Sequence, residues 1–502
     1  MSHRDKDCRI ASGSFAQGRT FAQALSTAMA WLLAGVDWGA ISLRADCQWS
    51  PRGLASAALL WAWSGETSLK ERFAQALAVV RSWHCKAPRD TSYQAFMKLL
   101  VRWTEPLQAC LVAALRKRML EQVACRALRI AGFLVIGGDG SKLGLCRTSS
   151  NEGRFSPTKA RRKSKKRRGQ KGRRRPKSRK ARARRAQAKK ADSPQMSLTV
   201  LLLLALGIPW DFRLGASDSS ERGHLLQMVS GLPSDALVTA DCGFVGYDFW
   251  AALLASGRHF VIRVGGNVRL LKKLGVARES EGIVYVWPNQ AARRKQPPLM
   301  LRLVVLEGPR HPWYLVTSVL NPRRLSDRQV IQIYRQRWGI ELFFRHFKQT
   351  YQRGKLRSHN AEHALCEAQW SLLGLWSMLL YAYHQRSQAC PSVPRDSPPP
   401  SLARPRRAPP PVPRASVIRV LRAFRKAMHR YDSRPQRGDS LAAQLRTAVL
   451  DKNGRRDKRS RGHPRKKYEP PTKPPLILTA TKPQRQLAQH ISIQHQTLRL
   501  TA

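Results

Sequence analysis

The sequence predicts a mixed α/β fold in which helices cover a sheet and a β-rich insertion follows. Short apolar runs at 197–206, 236–240 and 259–264 have the length of buried strands. Helical patterns separate these runs, and alternating strands and helices form layered sheets. Residues 265–325 carry further strand-like runs. The net charge of +60 predicts that the protein binds a polyanion, either DNA or RNA.

The N-terminal quarter of the chain is predicted to be helical. Within residues 1–126, apolar residues recur at helical spacing through 21–33, 54–63, 73–83 and 95–120. Each of these stretches must bury an apolar face against a neighbour. We therefore expect a helical N-terminal domain.

The core sheet is predicted from two separated segments, 127–150 and 193–264. The first contains a short apolar run that ends in a Gly-Gly-Asp-Gly-Ser loop, and the second contains the strands. Residues 326–385 are expected to supply the helices that complete this core. The first of these helices has a clear start, because Ser326 and Gln329 form a capping box.

Two strongly basic segments interrupt or follow the core. Between residues 159 and 190, 20 of 32 residues are Lys or Arg and none is acidic. Repulsion between like charges prevents a core there, so residues 151–192 are predicted to be a disordered insert that tethers nucleic acid. Residues 386–502 are rich in Pro and Arg and are predicted to form a largely disordered basic tail that allows one short helix at 416–431.

Membrane and extracellular classes fit the sequence poorly. The longest apolar run, near residue 200, is too short to span a bilayer, and the N-terminus lacks a signal-peptide pattern. Nine cysteines are scattered without a Cys-x-x-Cys pair, which argues against zinc fingers and a disulfide framework. We expect a cytoplasmic protein with no membrane partner.

Five polar residues share one stripe of the helix that begins after Ser326. At about 100° per residue, the stripe contains one carboxylate among cations and a phenol: Tyr334, Arg337, Glu341, Arg345 and Lys348. The apolar residues of this segment fall on the other side. The pattern fits a solvated charged face, or a metal-ligand carboxylate flanked by phosphate-binding cations.

Two further carboxylates could join Glu341. Asp139 and Asp241 each follow an apolar run and are predicted to lie where a strand ends and a loop begins, which is where α/β folds place functional groups. Three such carboxylates would repel one another unless divalent cations lay between them. Asp218 and Glu221 are rival acids, but their spacing is better explained as a helix-capping box.

The spacing Tyr-x2-Arg-x3-Glu-x6-Lys resembles the YREK signature of DDE transposases of the insertion-sequence-four family. Three other stretches are similar to that family's pattern: GGDGSKL around Asp139, TADCGFVGYDFW around Asp241, and WYLVTS before the helix. The resemblance covers roughly residues 50–150 and 193–385. The basic insert and the long tail depart from it, but neither removes a motif residue.

This resemblance implies an RNase H-like mixed sheet with helices on both faces. The catalytic and metal-binding triad would be Asp139, Asp241 and Glu341, holding Mg²⁺ with Mn²⁺ able to substitute. The implied activity is cut-and-paste transposition by DNA cleavage and strand transfer. Two rival functions stay open: a non-catalytic nucleic-acid-binding remnant of a transposase, and an RNase H-like nuclease.

The resemblance also assigns DNA contacts and partners. The four stripe residues other than the carboxylate would hold phosphates of the cleaved end: Tyr334, Arg337, Arg345 and Lys348. Trp313 matches the position of a tryptophan that stacks on a flipped base, although a buried strand tryptophan is the alternative. The partners would be terminal inverted repeats, bound by residues 1–126, and target DNA. A homodimer associated with the bacterial nucleoid is expected.

Overall fold

The computed structural model describes most of the chain. The described residues are 20–44, 46–83, 88, 91–122, 128–157, 194–276, 279, 282–307, 312–389, 414–450 and 473–501. The predicted basic insert lies outside these residues except at its start, where residues 151–155 belong to the helix Ser149–Phe155. The prediction that the insert begins at residue 151 is therefore wrong, because Thr148 caps a helix there.

The helices predicted in the N-terminal region are present. They are α1 (Phe21–Leu33), α2 (Pro51–Trp63), α3 (Leu69–Trp83) and α4 (Tyr93–Gln122). Helix α2 starts with its proline at the first helical position, directly after the capping Ser50. Every residue of α2 after its first turn is buried, so this helix lies inside the helical layer rather than on its surface.

A single ten-stranded sheet runs through the molecule in the order β10-β6-β7-β8-β9-β5-β4-β1-β2-β3. Its strands are β1 (Leu134–Gly144), β2 (Gln195–Leu203), β3 (Ile208–Ala216), β4 (Ala236–Ala240), β5 (His259–Val264), β6 (Arg269–Lys272), β7 (Ile283–Val286), β8 (Leu299–Leu306), β9 (Trp313–Thr317) and β10 (Leu476–Thr479).

Half of this sheet has the RNase H-like arrangement. Strands β1, β2 and β3 form an antiparallel meander, and β4 and β5 then add parallel to β1 on its other side. Connections are made by α5 (Ser149–Phe155), α6 (Glu221–Val229) and α7 (Tyr247–Ala255). The order β3-β2-β1-β4-β5 confirms the predicted fold class.

Helices cover both faces of this half. Adjacent residues of a strand point to opposite faces, and glycines of β1 show what lies on each. A side chain at Gly138 would meet Leu225 of α6, whereas one at Gly137 would meet Leu204. Leu204 in turn lies beside Gly339, in the helical segment 327–350 that carries the polar stripe and that we call the stripe segment. The sheet is therefore enclosed between α6 and that segment.

The predicted β-rich insertion continues the same sheet. Strand β9 pairs antiparallel with β5, and β8, β7 and β6 follow outward. A short helix, α8 (Asn289–Arg293), connects β7 to β8. The outermost strand is β10, which pairs in parallel with β6.

The segment with the polar stripe is helical but not uniform. It consists of α9 (Asp327–Gln336), α10 (Trp338–Arg345) and a π-helical turn, His346–Thr350. The predicted capping box of Ser326 is confirmed. The apolar side is buried as predicted, with less than a tenth of each side chain exposed at Ile333, Ile340, Phe343, Phe344 and Phe347.

Helix α11 (Ala361–Ala389) lies at the centre of the helical layer. It packs against α2, α4 and the C-terminal helices, and its tryptophans Trp370 and Trp376 are completely buried. Among the described residues, no helix is long and apolar enough to cross a membrane.

The prediction of a largely disordered tail is wrong for two segments, although the short helix that it allowed at 416–431 is present. Residues 414–450 contain α12 (Val417–His429) and α13 (Leu441–Arg446), and residues 473–501 contain β10 and α14 (Lys482–Thr501). The apolar side of α12 is buried against the N-terminal helices and α11. This packing stabilises a helix within a tail whose basic composition favours disorder.

Candidate active site

Asp139 lies in the middle of β1, not at the end of a strand as predicted. The strand continues to Gly144 because β2 pairs with it throughout, with Asp139 opposite Val200. Oδ1 of Asp139 accepts a hydrogen bond of 2.8 Å from the backbone N–H of Gly140. Its side chain is 19% exposed, so the carboxylate sits at the mouth of the site rather than in bulk water.

Asp241 follows β4 directly, as predicted. Its Oδ1 accepts a 2.8 Å hydrogen bond from the backbone N–H of Gly243 and so caps a short 3₁₀ turn. Strands β1 and β4 are parallel, with Gly137 opposite Thr239. Two residues further along each strand, the same register brings Asp139 and Asp241 to the same level on neighbouring strands.

The pKa of Asp139 reflects both its burial and the charge of Asp241. Burial, together with the charge of Asp241, raises the pKa of Asp139 from its ordinary value of 3.8 to about 6. The hydrogen bond from Gly140 and the Arg337 guanidinium act in the opposite direction but do not cancel the effect. A nearby cation would favour the ionised form of this carboxyl.

Glu341 is connected to Asp139 through Arg337. The Arg337 Nη2 atom is 2.7 Å from Oε1 of Glu341, one turn along the helix, and Nη1 is 3.8 Å from Oδ2 of Asp139. The structure therefore brings the three predicted triad residues to one region with a guanidinium between two of them. Among the described residues, no three acidic, histidine or cysteine side chains are gathered closely enough to hold a metal ion.

Glu221 is a site residue that the sequence prediction missed. Helix α6 is capped by Ser220, so the predicted Asp218–Glu221 capping box is wrong. A side chain at Gly140 would come within 2.1 Å of the Glu221 carboxyl, which places that carboxyl directly over the backbone beside Asp139. Burial and Asp241 raise the pKa of Glu221. We call Asp139, Asp241 and Glu221 the acidic cluster.

Lys348 contacts β1 two residues beyond Asp139. Its Nζ donates a 2.6 Å hydrogen bond to Oγ of Ser141, and burial lowers its pKa. From this point a cleft of about 550 Å³ leads outward, with Lys355, Arg357 and His359 among its lining residues. The cleft continues the positive charge of the stripe away from the carboxylates.

The remaining predicted DNA contacts divide between exposed and buried positions. Arg345 is exposed on the last turn of α10. Tyr334 is only 4% exposed, and its ring meets Trp313 edge-on at 5.8 Å. Arg263 lies 5.1 Å from the Trp313 ring centroid. Trp313 itself is 37% exposed, which excludes the alternative of a buried strand tryptophan.

The residues of the site suit a divalent cation in kind. Carboxylate oxygens are the ligands that Mg²⁺ prefers in proteins. Burial and mutual repulsion oppose ionisation of Asp139, and a positive charge, that of Arg337, already lies between Asp139 and Glu341. Cation binding would require Glu341 to exchange this guanidinium for the ion.

Comparison with known proteins finds similarity to transposases. Residues 140–376 match the model of the transposase DDE domain, a span that contains Asp241 and Glu341 and starts one residue after Asp139. The chain is 28% identical over 196 residues to the transposase InsG for insertion sequence element IS4 of Escherichia coli strain K12. That match covers 37% of this chain and 42% of the relative, so it spans less than half of the relative's length.

A solved structure of a piggyBac transposase synaptic complex with hairpin DNA is a more distant likeness. It covers 90% of this chain and 81% of its own, at 12% identity and a TM-score of 0.35. Such a score is too low to bear on the fold or the site.

Proposed function

Because the chain carries a transposase DDE domain of the insertion-sequence-four type, we propose that it catalyses metal-dependent cut-and-paste transposition. The observation that supports this proposal is that Asp139 lies on β1 beside the end of the parallel strand β4, which Asp241 directly follows, and that Arg337 links Glu341 to Asp139. The reaction would be phosphoryl transfer on DNA: cleavage at the element's end, then attack of the freed 3′-hydroxyl on a target phosphodiester.

Asp139, Asp241 and Glu341 would hold Mg²⁺, with Mn²⁺ able to substitute. Cations bound there supply Lewis-acid activation of the attacking oxygen and neutralise charge on the phosphate. The protein side chains provide position. Arg337 forms ion pairs with the carboxylates in the free protein and would bind a phosphate when DNA enters. A guanidinium can form two parallel hydrogen bonds to one phosphate, a bidentate contact.

The surrounding side chains would hold the cleaved strand. Lys348, fixed by Ser141, and the cleft beyond it offer a path for the phosphate backbone. Trp313 would stack on a flipped base with the face that Arg263 leaves open. Tyr334 is buried beneath it, so we propose that Tyr334 mainly orients Trp313 and Arg337.

We also propose terminal inverted repeats and target DNA as the partners. The N-terminal helices would bind the repeats, and a dimer would bring two ends together. A net charge of +60 favours an association with the nucleoid.

The test uses a DNA fragment with the native flanks of this gene and a second fragment with the end sequences scrambled. The full-length protein is incubated with each in Mg²⁺, and the products are mapped at nucleotide resolution. Discrete cuts at the native ends, absent from the scrambled fragment and with Glu341→Ala, are expected.

Two other results would contradict the proposal. Cuts on both fragments without regard to sequence would identify a general RNase H-like nuclease. Tight binding without cleavage in Mg²⁺ or Mn²⁺ would identify a non-catalytic remnant of a transposase.

A further inference from the structure

A second cleft lies on another side of the stripe segment. Its volume is about 770 Å³, and α9 and α10 supply most of its wall. At about 100° per residue, its residues Arg335 and Arg328 lie about 100° and about 120° round the helix from Tyr334. Trp338, about 40° from Tyr334, borders the stripe. The segment thus has three sides: a buried one, the stripe with Glu341, and this cleft.

The cleft is positively charged and contains no acidic lining residue. Arg328 and Arg335 are exposed and form no ion pair with any described residue. A third guanidinium, Arg414, is half-buried and donates to the carbonyl oxygen of Leu204. Three arginines without a carboxylate favour an anion from outside.

Arg414 is the most buried of the three arginines and lacks a counter-ion among the described residues. Burial accordingly lowers its pKa. A guanidinium removed from water without a counter-ion is costly, and a phosphate entering the cleft would offset that cost.

The cleft also offers an aromatic surface. Trp338 is 43% exposed, an unusual position for the largest apolar side chain, and it lines the cleft beside the arginines. Flat aromatic rings interleaved with cations are typical of nucleic-acid surfaces. A second copy of this chain is a poor occupant, because the chain itself has a net charge of +60.

We propose that this cleft binds the phosphate backbone of target DNA. The inference rests on the proposed function, because strand transfer requires two DNA segments at one set of carboxylates. Leu342 lines the cleft and directly follows Glu341. The cleaved end on the stripe and the target in the cleft would therefore flank a single helix, about 10–12 Å across.

The experiment separates target binding from end cleavage. The variant is Arg328→Glu with Arg335→Glu, and the matched control reverses two exposed arginines far along the chain, Arg434→Glu with Arg437→Glu. Three quantities are measured: cleavage of end DNA, transfer of pre-cleaved ends into a plasmid, and anisotropy of a random-sequence duplex across a salt series.

The cleft variant is expected to lose at least tenfold in strand transfer and in random-duplex affinity, with end cleavage unchanged within about threefold. Its log–log salt slope should fall by about 2, since each lost phosphate contact contributes about 0.9. The control pair should change each quantity by less than half as much. Arg328→Gln with Arg335→Gln provides the same test with a smaller perturbation if the reversal disturbs folding.

Transfer and duplex affinity equal to wild type would overturn the inference. An equal loss in the control pair would also overturn it, because the effect would then be one of net charge. If wild type cleaves no DNA, the proposed function fails, and the duplex titration still decides whether the cleft binds DNA.

Discussion

Two polar clusters in this molecule, one half-buried and one buried, are built on opposite principles. The acidic cluster of Asp139, Asp241 and Glu221 crowds like charges together. The second, which we call the Arg353 cluster, consists of Arg353, Arg72 and Glu367, and joins the end of the stripe segment to the N-terminal helices.

Nearly every polar atom of the Arg353 cluster has a partner. Arg353 is 1% exposed and donates to the carbonyl oxygens of Tyr351, Ala62 and Ser64 and to Oγ of Ser371. Glu367 is also 1% exposed. Its carboxylate accepts from the backbone N–H groups of 357 and 358 and lies 3.8 Å from Nη1 of Arg72.

The difference in hydrogen bonding distinguishes a cluster that stabilises the fold from one that can bind a ligand. Burial of charge with full hydrogen bonding is typical of a cluster that holds elements together. In the acidic cluster the carboxylates are partly buried, and among the described residues Arg337 is the one cation in ion-pair range. Positive charge is therefore lacking there, and a ligand can supply it. Substitutions should therefore affect stability in the Arg353 cluster and activity in the acidic cluster.

The largest effect is expected at Asp241. Asp241→Asn keeps the shape of the side chain and its bond to Gly243 but removes a ligand charge. End cleavage should fall by at least about 10³-fold, equivalent to about 4 kcal/mol of transition-state stabilisation. The urea midpoint of unfolding should stay the same or rise. A cleavage rate within tenfold of wild type would remove Asp241 from the catalytic site.

Removing the Arg353-cluster carboxylate should destabilise the fold. Glu367→Ala leaves Arg72 buried without its ion pair, and burial has already lowered the pKa of Arg72 to about 9. The free energy of unfolding should decrease by about 3–5 kcal/mol, measured by urea denaturation. A loss below 1 kcal/mol would show that the contrast between the clusters is wrong.

Removing a charge from the acidic cluster should stabilise the fold, whereas removing one from the Arg353 cluster should destabilise it. The pKa of Asp139 is raised to about 6 in the folded chain, so the folded state binds its proton more tightly than the unfolded state does. The associated stability is fully present below about pH 4 and is lost as the pH rises through about 6. Asp139→Asn escapes this loss.

Without divalent ions, Asp139→Asn should be more stable than wild type by about 3 kcal/mol at pH 8, at about 1.4 kcal/mol per pKa unit. The difference should vanish near pH 4. Urea titrations at the two pH values in a chelator test this. Equal stabilities at pH 8 would contradict the shift, whatever happens to cleavage.

Trp313 should show a smaller effect on DNA than the carboxylates. It is exposed, so Trp313→Ala should leave the melting temperature almost unchanged. Binding to an end carrying an extruded base should weaken by about 1–3 kcal/mol, the usual value of base stacking on an aromatic ring. Equal affinity of the two proteins for that DNA would exclude stacking.

The smallest effect is expected at Glu362, which forms an ion pair with Arg154 on the surface of α11. Glu362→Ala should change the free energy of unfolding by less than about 1 kcal/mol. It lies on the same helix as Glu367 and is the matched control for that substitution. A loss as large as that of Glu367→Ala would show that burial does not distinguish the two carboxylates.

Local signals in the sequence were sufficient for the elements they control. The start at Ser326 depends on two side chains three residues apart, and the predicted capping box is present. The placement of Asp139 depends on β2, more than 50 residues along the chain, and the prediction of a strand end was wrong. Pairing partners at such separations leave no local pattern.

Glu221 was missed for a similar reason. Its spacing from Asp218 suggested a cap, whereas its place over Gly140 depends on how α6 packs on β1. The only signal within the chain was an acidic residue at the start of the helix after β3. The stripe, by contrast, is a property of one helical segment, so the sequence alone indicated Glu341.

The most direct test is single-turnover cleavage of the native end DNA in Mg²⁺ by wild type, Glu341→Gln and Glu362→Gln. Both substitutions remove one carboxylate charge, but only one of them touches the stripe. Wild type and Glu362→Gln should cut at the same rate, while Glu341→Gln binds the end without cutting it. Cleavage by Glu341→Gln within tenfold of wild type would contradict the assignment of the active site.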